Sequence, residues 1–139
     1  MQYRRLGRSG LMVSELTLGT MNFGGPTDES TSLLMIDKAL DYGINFLDCA
    51  NVYSNGRSEQ ILGKALKRNG KRHEVLVTSK AFLPTSEQPN DSGNNRHNLI
   101  NSCIESLKRL QTDYIDIFFL HRTDWNTPQE ETLSALNYL

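Results

Sequence analysis

Long apolar runs are missing from this chain, and so is any excess of charge. No segment is long and apolar enough to cross a membrane. The 15 basic residues stand against 16 acidic ones, a formal net charge of −1, with no basic patch and no acidic tail. That balance argues against a nucleic-acid partner and against a membrane surface. Cysteine is scarce: Cys49 and Cys103 lie far apart, without the short spacing of a metal site. A disulfide-built scaffold and a cysteine-ligated metal are therefore not expected; the two are read as free, buried thiols of a reducing cytoplasm. The opening "MQYRRLGRSG" has charges but no apolar stretch behind them, so it does not read as a signal peptide. No shift in composition marks a linker. The 139 residues suffice for one domain, 1–139, with a core of its own.

Four short apolar runs are present: "ELTLG" (15–19), "INFLD" (44–48), "VLVTS" (75–79) and "YIDIFFL" (114–120). Helical patterns separate them. The first runs from about Asp28 to Tyr42, with Leu33, Ile36 and Leu40 at helical spacing, acids in the first turn and Gly43 as a stop. The second starts near Ser58, buries Ile61, Leu62, Ala65 and Leu66, and stops at Asn69-Gly70. The third spans about Arg96 to Leu110, with Leu99, Cys103, Leu107 and Leu110 on one face. The fourth begins at "TPQE", with Thr127 expected as N-cap, Pro128 at the first helical position and Glu130 closing a capping box. Strand then helix, four times, predicts parallel strands joined by right-handed crossovers. Ahead of them, two short β segments flanking Gly7-Arg8-Ser9-Gly10 predict a hairpin. The polar stretch 81–95 is a long loop of the kind that is functional or mobile.

Polar residues fall at the ends of these strands. Asp48 closes the second, and Tyr53 lies in the loop behind it; Lys80 follows the third and His121 the fourth. Each alone has an ordinary reading: a turn-capping acid, a packed tyrosine, a solvated lysine, a hydrogen-bonded histidine. In a parallel α/β sheet, however, these ends share one rim, which is where such folds place their sites. One chemistry uses all four, proton donation to a carbonyl oxygen. A phenol, with a reference pKa of about 10, is a weak acid at neutral pH. A neighbouring ammonium favours its ionised form. Lys80 can supply the ammonium, Asp48 can hold and aim it, and His121 can donate a hydrogen bond to the substrate oxygen.

Read in order, "GLMVSELTLGTMNFG", "DCANVYSNGRSE", "VTSKA" and "RHNLINSCIESLKRLQTDYIDIFFLHR" resemble the N-terminal half of an aldo-keto reductase, a (β/α)8 barrel using a nicotinamide cofactor. The ending "HRTDWNTPQEET" is similar to the branch holding bacterial general-stress reductases and potassium-channel β subunits. One departure is Ser54-Asn55-Gly56, where the family often has glycine soon after the tyrosine. The resemblance implies the first four β/α units of a TIM barrel behind an N-terminal hairpin. It implies an NADPH-dependent reductase of aldehydes and ketones, with Tyr53 as general acid, Lys80 and Asp48 tuning it and His121 orienting the carbonyl. Gly19, Thr20, Met21 and Asp48 would lie along the NADP(H) cofactor; Phe23, Phe82 and Trp125 would line the substrate pocket; no metal is implied. A full barrel of this type has eight strands, and the phosphate-binding loops follow its last two. A homo-oligomer or a complementary half is therefore expected, since "YIDIFFL" is a poorly protected edge. A non-catalytic half-barrel that binds a partner is the alternative. A short-chain dehydrogenase is disfavoured, because Tyr53 and Lys80 are not four apart on one helix.

Overall fold

In a computed structural model describing residues 1–139, an antiparallel ribbon comes first. It pairs β1 (Tyr3–Arg5) with β2 (Met12–Ser14), Tyr3 opposite Ser14 and Arg5 opposite Met12. The expected hairpin turns at Gly7, whose φ of +56° suits glycine. It is pinned below the main sheet: the Ser14 N–H donates to Asn45 Oδ1 at 2.7 Å, and the Tyr3 hydroxyl donates to the Gly43 carbonyl at 2.8 Å.

The main sheet has four strands in the order β3-β4-β5-β6, all parallel: β3 (Leu18–Gly19), β4 (Phe46–Asp48), β5 (Leu76–Ala81) and β6 (Ile117–Leu120). Each is followed by a helix, namely α1 (Glu29–Asp41), α2 (Arg57–Asn69), α3 (Arg96–Leu110) and α4 (Gln129–Tyr138). This is the first half of a β/α barrel. The strands are shorter than the apolar runs suggested. β3 keeps two residues of its run, and Leu16 there is 60% exposed, because nothing flanks this edge. Lys80 lies within β5 rather than after it.

Helix starts and stops follow local chemistry. Asp28 caps α1 through its carboxylate, which accepts the Thr31 N–H at 2.7 Å, and Gly43 beyond its end sits at φ +81°. Asn95 caps α3 in the same way, accepting the Asn98 N–H at 2.8 Å. The capping box expected on α4 is absent. Pro128 itself is the N-cap and offers no side-chain bond, while the Thr127 hydroxyl donates to Asp124 at 2.7 Å. That loop is held by Asp124 rather than by a helix cap.

The main core lies between the sheet and the helices covering it. It is built on Ile36, Leu47, Ile61, Leu62, Val75 and Val77. Leu47, fully buried in the centre of β4, would cost about 2–5 kcal/mol on truncation to alanine. A smaller cluster of Ala81, Leu99 and Ala135 seats α3 and α4 on β5 and β6, with Phe118 and Leu120 against it. Helices α2 and α3 approach so closely that a Cβ on Gly63 would sit 2.4 Å from the Leu110 carbonyl oxygen. The thiols differ: Cys49 is buried as expected, but Cys103 is only half-buried, on a turn of α3 that does not face the sheet squarely. No helix is long and apolar enough to cross a membrane.

Candidate active site

Parallel register sets the rim. Because Leu47 pairs with Val77 in β4 and β5, Asp48 stands level with Thr78, and Lys80 is opposite Phe119 of β6. Residues at i and i+2 of a strand share a face. Thr78 and Lys80 therefore both point to the inner face, where Asp48 also lies. The Thr78 hydroxyl donates to Asp48 Oδ1 at 2.9 Å, and Lys80 Nζ donates to Asp48 Oδ2 at 2.8 Å. Both carboxylate oxygens are thus held, while the side chain keeps 30% of its surface in solvent. Thr78 was missed in the sequence, although its period-two relation to Lys80 is the signal that could have found it.

Lys80 is the hub of the site. Besides Asp48, its ammonium donates to the Cys49 carbonyl at 2.8 Å and to the Tyr53 hydroxyl oxygen at 3.0 Å. An ammonium has three hydrogens, and all three are engaged. It stands 4.7 Å from the Tyr53 ring centre. Tyr53 opens a short 3-10 turn in which Ser54 and Asn55 adopt left-handed φ values of +49° and +53° before Gly56 at +83°. Two non-glycine residues in that region are unfavourable, by roughly 1–2 kcal/mol each. Glycine at position 54 would avoid the first of these costs.

His121 follows β6. Its backbone N–H donates to the Ala81 carbonyl at 2.9 Å, and its ring meets Tyr53 edge to face, centroids 6.0 Å apart. Burial, then the positive charges of Lys80 and Arg122, push the imidazole pKa below its usual value; Asp48 opposes them. The ring is therefore neutral at pH 7. Its Nδ1 is buried with no partner. Nε2, which is not among the buried unpartnered atoms, is the ring nitrogen left open toward a substrate oxygen.

Four of the expected residues, Asp48, Tyr53, Lys80 and His121, are thus brought together, Tyr53 touching both Lys80 and the His121 ring. The expected cofactor residues differ among themselves. Met21 is 61% exposed, and Gly19 has open space where a Cβ would stand. Thr20 is fully buried, its hydroxyl donating to the Asp48 carbonyl at 2.9 Å and accepting from Ser58 at 2.8 Å, so its side chain props the rim from beneath. The three expected pocket aromatics differ in exposure. Phe23 is 1% exposed inside the main core, because the turn from Thr20 folds it inward; Phe82 is half-buried; Trp125 is 89% exposed. Cys49, next to Asp48, is no nucleophile: burial and the nearby Glu59 push its thiol pKa up to about 11.

The sequence profile of the Aldo/keto reductase family matches residues 15–139. A protein of Arabidopsis thaliana named as a probable voltage-gated potassium channel subunit beta is 41% identical over 140 residues, covering 100% of this chain and 43% of that protein. The Bacillus subtilis protein named Uncharacterized oxidoreductase YrpG is 46% identical over 145 residues, with coverages of 97% and 44%. Among solved structures, the holo form of aldo-keto reductase AKR11C1 from Bacillus halodurans superposes with a TM-score of 0.87 at 38% identity, over 99% of this chain and 46% of that one. The chain spans under half the length of each of these relatives.

Proposed function

The chain belongs to the aldo/keto reductase family, and from that membership we propose that it carries the proton-donating part of a carbonyl reductase site, in which Tyr53 is the general acid, acting with NADP(H) on small aldehydes and ketones. The observation that carries this reading is the Lys80 contact set. One ammonium hydrogen points at the Tyr53 oxygen, so the phenol's own proton is turned away from Lys80 and is free to be given to a substrate oxygen. The oxygen left behind stays hydrogen-bonded to the Lys80 ammonium. Asp48 holds the ammonium on its opposite side. His121, neutral, donates from Nε2 a hydrogen bond that fixes the angle of the carbonyl.

The rim fits the nicotinamide end of the cofactor. Gly19 and Met21 leave open surface beside Asp48, whose exposed carboxylate has lone pairs left for a ribose hydroxyl. Bound there, the nicotinamide supplies the hydride. Barrels of this kind hold the cofactor phosphates with the loops after their seventh and eighth strands, so these four β/α units by themselves are expected to bind NADPH weakly. A fluorescence titration showing tight binding would contradict that. Two open strands, β3 and β6, and the 40% exposed Phe119 of β6, level with Lys80, call for four further β/α units, as a second copy or a complementary half would supply. A compact monomer that melts cooperatively at micromolar concentration, seen by sedimentation, would refute this closure.

The second reading is a non-catalytic half-barrel that binds or regulates a partner, favoured by the open strands and by the relative named for a channel β subunit. Saturable, carbonyl-dependent oxidation of NADPH decides between them. The reductase reading expects it, from the chain alone or closed by its complement, and expects its loss in Tyr53→Phe.

A further inference from the structure

Tyr53 and His121 belong to the loops after β4 and β6, and β5 stands between those strands. Backbone bonds tie each loop once to β5, the Asn51 N–H donating to the Lys80 carbonyl at 3.2 Å and the His121 N–H to the Ala81 carbonyl at 2.9 Å, but these do not link one loop to the other. Behind the rim runs a chain of buried amides and hydroxyls that does so. Asn51, two residues before Tyr53, donates from Nδ2 to the Ser102 hydroxyl at 3.2 Å. Ser102 donates to Asn98 Oδ1 at 3.1 Å, and Asn98 Nδ2 donates to the Gly93 carbonyl at 2.7 Å. The next residue, Asn94, donates from Nδ2 to the carbonyl of Arg122, directly after His121, at 3.0 Å. Its backbone N–H reaches Asp124 Oδ2 at 2.8 Å, and its carbonyl accepts from the Thr132 hydroxyl at 3.0 Å. Gly93 makes room for this: at φ +82°, a Cβ there would lie 2.7 Å from Asp124 Oδ2. The Gly93 N–H also donates to the Phe82 carbonyl at 2.7 Å, tying in the loop after β5.

Two features mark the chain as more than packing. Asn51, Asn94 and Asn98 are 2–3% exposed, on surfaces where aliphatic side chains would fill the same space. The terminal amides, Asn51 and Asn94, each leave the side-chain oxygen buried without a partner. That is a cost an apolar residue would not carry, so what these amides contribute lies in what their N–H groups hold. We propose that Asn94 is a positioning residue for His121, and that the chain Asn51–Ser102–Asn98–Gly93–Asn94 sets where Tyr53 and His121 stand relative to each other. The significance of that spacing rests on the reductase reading; the spacing itself can be measured without turnover.

The test is an NMR titration of the His121 imidazole in the labelled 139-residue chain. The ring faces Lys80, Arg122, Asp48 and Tyr53, so its titration reports its place among them. In Asn94→Ala the ring should swing toward solvent and titrate nearer the free value of about 6.5. Ser102→Ala cuts the chain in mid-helix with the best helix former, so it tests the proposal even if Asn94→Ala fails to fold; it should shift His121 the same way by less. Asp28→Ala, which removes the distant α1 cap, should lower the melting temperature and leave His121 unmoved. Wild-type titration in both chain variants, or an equal shift in Asp28→Ala, overturns the proposal. In an assembly that turns over carbonyl substrate, Asn94→Ala should lower kcat by about tenfold or more with little change in KM. Absence of turnover in the wild type speaks against the reductase reading alone, and the titration still decides this one.

Discussion

Asp48 and Glu59 lie in one segment, and each meets a cation from a later element, yet the two pairs are built differently. Lys80 and Asp48 stand 2.8 Å apart with 13% and 30% of their side chains exposed; Arg109 and Glu59 stand 2.6 Å apart with 23% and 0% exposed. Adjacent residues of β5 serve the two. Lys80 points to the inner face, while the Ser79 hydroxyl points behind the sheet and donates to Glu59 Oε1 at 2.6 Å. Arg109 Nε donates to the other oxygen. The Arg109 stem lies over Gly56, where a Cβ would stand 2.7 Å from its Cδ. At the rear both Glu59 oxygens are engaged, and the pair clamps α3 to the start of α2. The rim pair keeps one hydrogen for a third partner, Tyr53, and one solvated face. Strand alternation alone separates a charge pair with a fully buried acid from one left open at the rim.

The largest effect expected from breaking this contrast is at the rear. Arg109→Leu leaves the fully buried Glu59 without its cation and should cost about 3–5 kcal/mol in urea unfolding. A loss under about 1 kcal/mol would show that the rear pair is no clamp. Next comes Tyr53→Phe, expected to lower carbonyl turnover by about 100-fold or more, some 2.7 kcal/mol at about 1.36 kcal/mol per decade, with the urea midpoint unchanged. Near-normal turnover would sink the general-acid assignment. Lys80→Met should also depress turnover but cost only about 1 kcal/mol in stability, because the Asp48 carboxylate it leaves behind is still solvated. If it destabilised as much as Arg109→Leu, the two pairs would not differ in kind.

The smallest effect is a pH dependence. The His121 pKa is lowered in the folded chain by burial and by Lys80 and Arg122, so the unfolded chain takes up the proton first. This contribution to stability is intact above about pH 6.5 and is lost as pH falls through the folded-state value. Melting temperature against pH should show the fall in wild type and lose it in His121→Asn; identical profiles would place the imidazole outside the cluster.

Much of this was legible in the sequence, and the reason is period. The apolar runs of β4, β5 and β6 end on residues that do not belong in a core, and a parallel sheet lines those ends up. The helix faces were less legible. On α3 the periodic positions Leu99 and Leu110 are buried, but Cys103 and Leu107 are only half so, and the stripe facing the sheet includes Asn98, Ser102 and Ser106. On α1, Ser32 and Ala39 join Ile36 inside, while Leu34 is 70% exposed. A hydrophobicity pattern does not register small polar residues whose hydroxyls are satisfied internally. The placing of the aromatics was not legible either: Phe23 and Trp125 are both aromatic loop residues in the sequence, and only tertiary turns send one into the core and the other into water.

The three engaged hydrogens of Lys80 also bear on its reactivity toward reagents. An amine attacks an electrophile through its lone pair. To expose one, Lys80 must give up a proton and with it a bond to Asp48, to the Cys49 carbonyl or to Tyr53. Lys38, Lys64, Lys67 and Lys108 lie exposed on the helices. An acylating or alkylating label would therefore decorate the outside of the molecule first and reach Lys80 last, and the order of labelling would act as a clock for the opening of the rim.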